Sequence, residues 1–243
     1  MEKGQQDYKI QRVLYHHHHY HLHHSHKLEL NKVPWLKIFT NTASLALLIN
    51  TFAQGWVSLM ILSEMPAFLH QQLGCDISHS SYLSILPYIF NLVAVELFSI
   101  IFNTLMVKGI LSRWQVRQWA NRIGLLGPSI CVVIVGHVTD PGVGVTILCI
   151  ALFLFGAVQS GTPCGFMDIA PNFSSEMNTV AIVFLSCAGF LTPMLVSYYQ
   201  RLYSVSLAWQ YVFYITFLIC GVSIIIWRIF GRSEIITELN TRI

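Results

Sequence analysis

Six long apolar stretches decide what this chain can become. They fall at about residues 43–62, 82–106, 120–138, 143–160, 179–199 and 208–230. Each lies near the ~20 apolar residues that a helix needs to cross the hydrocarbon core of a bilayer. No water is available there, so every backbone N–H and C=O must be satisfied within the protein, and a segment of this length does that as a helix. The connections are short, so neighbouring helices run antiparallel. Only 10% of the 243 residues are charged, against about 25% in soluble domains, and mean hydropathy is +0.59. The expectation is an all-α membrane protein with six transmembrane helices in contact with the lipid bilayer.

Charge sets the expected orientation. With both termini in the cytosol, every Lys and Arg except Arg201 lies on the inner side or at the inner end of a span, as the positive-inside rule requires. Residues 1–40 then form a cytosolic, largely disordered segment, 41–231 the bundle and 232–243 a cytosolic tail. The first segment carries an irregular tract, His16–His19, His21, His23, His24 and His26. Dense imidazoles bind transition metals weakly, but the interrupted pattern fits a polar tail, and no metal site is expected. The six cysteines form no C-x-x-C pair, and all but Cys75 sit in apolar segments or at their edges, where a thiol behaves as a small hydrophobe. No disulfide or zinc site is expected. A net charge of +3 without basic runs gives no sign of a nucleic-acid partner.

Polar residues inside the spans carry the functional signal. In the first, Ser44, Thr51, Gln54, Gly55 and Ser58 share one helical face. Such a stripe fits a solute path or a close-packing face equally well. Of its members, Thr51, Gln54 and Ser58 are the candidates to line a cavity. In the second span, Asn91 lies in the outer half and Glu96 near the centre. Glu96, Ser99 and Asn103 are spaced i, i+3, i+7 and share a face. A carboxylate at mid-membrane is costly and usually faces the protein interior or a water-filled cavity. Glu96 is therefore read as a proton-binding or solute-contact group, or else as a neutral acid bonded to Ser99, Asn103 or another helix. In the fifth span, Ser186, Gly189, Pro193 and Ser197 share a face that reads as packing with a proline kink.

The fourth span ends in QSGTPCGFMDIAPNFSS, residues 159–175. Ser160, Gly161, Pro163 and Gly165 weaken helix there, and Asp168 precedes Pro171 by three residues. Both prolines lack a backbone donor and disfavour helix in the residue before them. An interrupted helix with freed carbonyls and an acid near the water boundary resembles a cavity lining; the plainer alternative is a helix end with Asp168 as a cap. There is no G-x-S-x-G, no H-E-x-x-H and no phosphate-cradling glycine loop. Polar stripes without a catalytic constellation point to solute movement rather than an enzyme, with no cofactor.

The motifs taken in order resemble a known family. They are Trp56, LSEMPAFL (residues 62–69), LSILPY (83–88), ILS (110–112), Val116-Arg117, IGLLGP (123–128), Ser160-Gly161, DIAP (168–171), WQYVFYI (209–215) and GRSE (231–234). Together they are similar to the carboxyl-terminal half of the anion transporters that include sialin, the vesicular glutamate transporters and the type I sodium–phosphate cotransporters. These belong to the major facilitator superfamily. The resemblance implies a three-plus-three bundle, one half of a major facilitator fold. It also implies secondary active transport of a small anionic solute, inorganic phosphate or an organic anion, with a proton or sodium as possible coupling ion. Asp168 and Pro171 are its motif residues. The family holds its solute between two six-helix halves, so the implied partner is an absent amino-terminal half or a second copy. Thr51 with Gln54, and Glu96 with Ser99, would face that partner across a water-filled cavity. The implied location is the plasma membrane or a lysosomal or vesicular membrane.

Departures from the family are specific. Gly165, Phe166 and Met167 stand where relatives carry Asn-His-Leu. Gln54 stands where the glutamate transporters place Arg, Ser99 and Asn103 replace Gly and Asp, and Ala181-Ile182 replaces Ser/Thr-Asn. Glu96 stands where relatives are apolar. The alternative to transport is a non-transporting six-span protein, a partner or a truncated paralogue.

Overall fold

The computed structural model describes residue 33, residues 35–75 and residues 85–237. The His-rich tract and most of the first inter-helix connection lie outside the described residues. A short helix at Trp35–Thr40, its Ile38 buried, leads into the bundle from within the stretch assigned to the polar segment. Six helices long and apolar enough to cross a membrane follow: α1 (Thr42–Gln71), α2 (Leu86–Val107), α3 (Arg113–Val135), α4 (Pro141–Ile169), α5 (Pro171–Leu202) and α6 (Val205–Phe230). The end of the bundle carrying most of the bases is called the inner end here.

The helices outrun the apolar stretches because hydropathy marks the lipid-deep portion only, whereas capping and proline placement mark the ends. Asn41 accepts from the N–H groups of Ala43 and Ser44 at 3.0 and 3.2 Å, so α1 starts at once. It passes through Pro66 to Gln71, beyond the end expected near residue 62. A reciprocal Ser112–Gln115 capping box opens α3 at Arg113, a full two turns before the expected start. That helix widens into a π turn over Arg122–Leu126. Pro128, which has no N–H to return to the Gly124 carbonyl, follows directly. In α4, Asp140 caps the start with a 2.8 Å bond from the Val143 N–H. The α-helix runs to Phe155, tightens to 3-10 over Gly156–Ser160, turns at Gly161 and resumes over Thr162–Ile169. The expected end at residue 160 is thus an interruption, not a terminus. Pro163 sits in the first turn of the resumed helix, where its missing N–H has no bond to lose.

The packing is that of a three-plus-three bundle. α1 lies most extensively against α5 and then α6; α4 lies most extensively against α2 and then α3; α3 and α6 touch each other. Exchanging the first three helices with the last three maps these pairs onto one another, the mark of an inverted repeat. This agrees with half of a major facilitator fold. Three apolar clusters fill the bundle among the described residues, the smallest joining Phe102 of α2, Val116 and Ala120 of α3 and Ala157 of α4. Of the larger two, one, containing Phe68, Leu125, Leu152, Trp209 and Phe213, sits toward the outer end. The other, containing Leu47, Phe166, Ile169, Met177 and Trp227, sits at the inner end.

Interhelical hydrogen bonds join α1 to α6. Trp56 Nε1–H donates to Thr216 Oγ1 at 3.0 Å, and Ser223 Oγ donates to Asn50 Oδ1. Burial is uneven. In the most apolar window of α1, 67% of residues are buried, but only 11% in α2 and 22% in α5. Leu92, Val93 and Ile100 of α2, and Ile182, Val183 and Phe190 of α5, stand exposed.

Candidate functional site

The most developed polar site lies where the inner ends of α3 and α4 cross. Arg117, one turn into α3, reaches the resumed part of α4. Its Nε–H donates to Asp168 Oδ2 at 2.7 Å and its Nη2–H to Asp168 Oδ1 at 3.4 Å. Its Nη1–H donates to the Ser160 carbonyl at 2.6 Å. One guanidinium thus holds both sides of the interruption, matching the fork of its donors to a carboxylate and a freed carbonyl. The pair is buried, with side-chain exposures of 11% for Arg117 and 8% for Asp168. Arg113 approaches the same carboxylate at 3.7 Å, but its side chain is 59% exposed.

One turn further along α3, Asn121 Oδ1 accepts from Thr162 Oγ1 at 2.9 Å in a fully buried bond. Gly161 is required between them, because a Cβ there would overlap Asn121 Oδ1. Gly124, in the π turn, brings the two backbones closer still. A Cβ on it would lie 2.5 Å from the Val158 nitrogen. The widened turn of α3 therefore nests against the tightened turn of α4. Gln118 and Asn121 Nδ2 at this crossing carry further buried polar atoms without a partner.

This arrangement is a latch. It fixes the α4 interruption against α3 and places a buried ion pair at the inner mouth of the bundle. Asp168 is not a helix cap: its oxygens are taken by side chains of α3. Pro171 opens a 3-10 turn, Pro171–Phe173, and is exposed. Ile236, beyond α6, returns to donate its N–H to the Ile169 carbonyl at 2.9 Å, tying the tail to the same place. Arg117 is the residue that the sequence reading missed as a functional group. It was visible there as part of a motif and as an inner base, but nothing local linked it to an acid 51 residues away.

The other candidates divide into two groups. Thr51 and Gln54 do not face outward as expected: both are buried, at 6% and 7% exposure. Thr51 Oγ1 donates to the Leu47 carbonyl at 2.9 Å. α5 closes over this stripe, with the Leu185 carbonyl oxygen 2.7 Å from the place of a Cβ on Gly55. Ser58 is half-buried at its edge. Glu96, Ser99 and Asn103 are exposed together on α2. Asn91 is half-buried on the same helix, with Nδ2–H donating to the Leu152 carbonyl of α4 at 2.7 Å. Ser160 serves through its backbone carbonyl.

No family model matches the chain. It is similar to curated transporters. It is 29% identical over 203 residues to vesicular glutamate transporter 2.1 of Danio rerio, covering 84% of this chain and 35% of that protein. Against vesicular glutamate transporter 2 of Homo sapiens it is 28% identical over 207 residues, covering 85% and 35%. Against the uncharacterized transporter slc-17.2 of Caenorhabditis elegans it is 30% identical over 207 residues, covering 83% and 41%. The chain therefore spans 35–41% of the length of these relatives.

Proposed function

We propose that this chain, a divergent member of the anion-transporter family of the vesicular glutamate transporters and related to its carboxyl-terminal half, forms one side of a secondary active transporter for a small anion. The solute is inorganic phosphate or an organic anion, and the coupling ion is a proton or sodium. The observation that carries this reading is the uneven cover of the bundle. α2 and α5 flank the central helices yet leave most of their surfaces open, and α2 presents Glu96, Ser99 and Asn103 on the open side.

A carboxylate at mid-helix facing hydrocarbon costs about 2.5–3.5 kcal/mol on insertion scales. A second body against α2 and α5, an amino-terminal six-helix half or a second copy, would remove that cost and enclose a polar cavity. Glu96 and Ser99 then touch solute or coupling ion directly, with Asn91 near them. Thr51, Gln54 and Ser58 reach solute only when the α1–α5 contact opens. The Arg117–Asp168 latch keeps α3 and α4 together while the bundle rocks against its partner. Both termini lie in the cytosol; tags on each end that antibodies reach in intact, unpermeabilised cells would refute that orientation.

The test is reconstitution into liposomes, with uptake of phosphate, sialic acid and glutamate measured under proton and sodium gradients. The chain alone is expected to insert without saturable, gradient-driven uptake. Uptake is expected once it is paired with an amino-terminal half from a relative, or from a cross-linkable dimer. Uptake by a monomer would overturn the half-transporter reading. A folded, inserted chain inactive in every pairing would favour a non-transporting six-span partner.

A further inference from the structure

The inverted repeat gives the inner latch a counterpart. Exchanging the two sets of three helices carries Asp168, an acid on α4 set against α3, to an acid on α1 set against α6. Glu64 occupies that place. It lies near the outer end of α1, two residues before Pro66, as Asp168 lies three before Pro171. α3 and α6 also begin alike, with Trp114-Gln115 and Trp209-Gln210.

The surroundings of the two acids differ. Glu64 borders a cavity of about 20 Å³ whose other walls are Met60, Ile61, Met65 and Phe68 of α1, Val132 of α3, Leu148 of α4, and Trp209 and Phe213 of α6. None of these carries a base or a titratable group. The Glu64 carboxyl lies 3.2 Å from Ser63 Oγ, whose single O–H also reaches the Leu59 carbonyl at 2.8 Å. Among the described residues at this end, His70 is engaged with the Cys75 carbonyl, His137 with Tyr214, and Asp140 as a cap, while Arg201 is exposed in the last turn of α5 and forms no ion pair with Glu64. Trp209, 1% exposed, has an indole N–H with no acceptor. Glu64, half-buried, and Trp209, an unsatisfied donor, thus border one small and almost wholly apolar cavity. A carboxylate drawn from water against this apolar wall relieves its charge by binding a proton or by gaining a donor, and the unused donor bordering the same cavity is the indole N–H.

We propose that Glu64 is a proton-binding site at the outer end of the bundle, and that Trp209 senses its charge. The carboxylate form accepts the Trp209 N–H and draws α1 and α6 together. Adding one proton to a carboxylate oxygen gives the neutral acid and releases that bond. Protonation of this group needs no solute gradient, so a chain that moves no solute still passes or fails the test.

The measurement is a pH titration of tryptophan fluorescence on the whole chain purified in detergent. One titrating component is expected. Trp209→Phe should remove it, Glu64→Gln should hold it at its acid-side value at every pH, and Glu96→Gln should leave it intact. A component that survives Glu64→Gln overturns the proposal, as does the absence of any component lost in Trp209→Phe. Should Glu64→Gln not fold, Glu64→Asp keeps an acid on a shorter arm: a displaced midpoint supports the proposal and an unmoved one refutes it.

Discussion

The two ends of this bundle solve the same geometric problem with different chemistry. At the inner end an acid on α4 meets α3, and Arg117 neutralises it through two bonds while also satisfying a broken helix. At the outer end an acid on α1 borders a cavity that α6 also lines, and among the described residues no base pairs with it. There the contact is aromatic: Phe68 packs edge-on against Trp209 and Phe213, with ring centroids 5.4 and 5.3 Å away. The inner end is built to hold α3 and α4 together through a buried ion pair. The outer end is built around a group whose charge can change with one proton.

Neutralising each acid is the largest test of that contrast. Asp168→Asn leaves Arg117 buried without its counter-charge. Losing one member of a buried pair costs about 3–5 kcal/mol, to be read as a lowered unfolding free energy in detergent. Adding Arg117→Met, which removes the orphaned charge, should recover part of the loss, a coupling that a double-mutant cycle isolates. Glu64→Gln strands no buried counter-charge, so its loss should be far smaller than that of Asp168→Asn. Equal losses at the two acids would erase the distinction.

A backbone test comes next. Gly161→Ala forces a methyl group onto Asn121 and disturbs the Thr162 bond without touching a charge. Overpacking of this kind costs about 1–3 kcal/mol. If the inner end owes its strength to the ion pair alone, Gly161→Ala will be silent. If it owes it to the nesting of a widened turn on a tightened one, Gly161→Ala will destabilise even with Arg117 and Asp168 in place.

Trp56→Phe probes the hydrogen bonding between α1 and α6. It removes the N–H that Thr216 accepts and keeps most of the ring. Interhelical hydrogen bonds in membranes average about 0.6 kcal/mol and reach about 1.7. Thr216 Oγ1 still donates to the Val212 carbonyl at 2.9 Å, so the loss should sit at the lower figure.

How far the sequence reveals these ends follows from the range of the forces involved. The six spans were legible because a lipid-crossing helix is a local property: length and apolarity suffice. Their ends were not, because Asn41, the Ser112–Gln115 box and Asp140 act through single hydrogen bonds that hydropathy ignores. Residues 160–165 read as the end of a helix since Gly161 and Pro163 are both poor in helix interiors; only the restart, with Pro163 in its first turn, shows why they are tolerated. The face shared by Thr51, Gln54 and Gly55 was visible, but spacing does not say which helix covers it. Asp168 was singled out for its setting between prolines, whereas its answer, Arg117, is 51 residues away and depends on which helices pack together.

Arg113 supplies the finest test, since it presents the same charge to the same carboxylate as Arg117. Charge alone would make the two nearly equivalent. Geometry separates them: Arg113 stands at 3.7 Å with 59% of its side chain exposed, whereas Arg117 stands at 2.7 Å with 11% exposed. At the longer, wetter contact the attraction is screened by water and salt, and ordering a long side chain offsets part of what remains, so such pairs contribute about 0–1 kcal/mol. Arg113→Ala should therefore fall within that range, and its effect should fade as salt is raised. Arg117→Ala should show a loss several times larger and little salt dependence, because its pair is shielded from the solvent. A large, salt-sensitive loss for Arg113→Ala would mean that the inner acid is held by a diffuse basic field rather than by one oriented guanidinium, and the inner end would then differ from the outer only in the number of charges nearby.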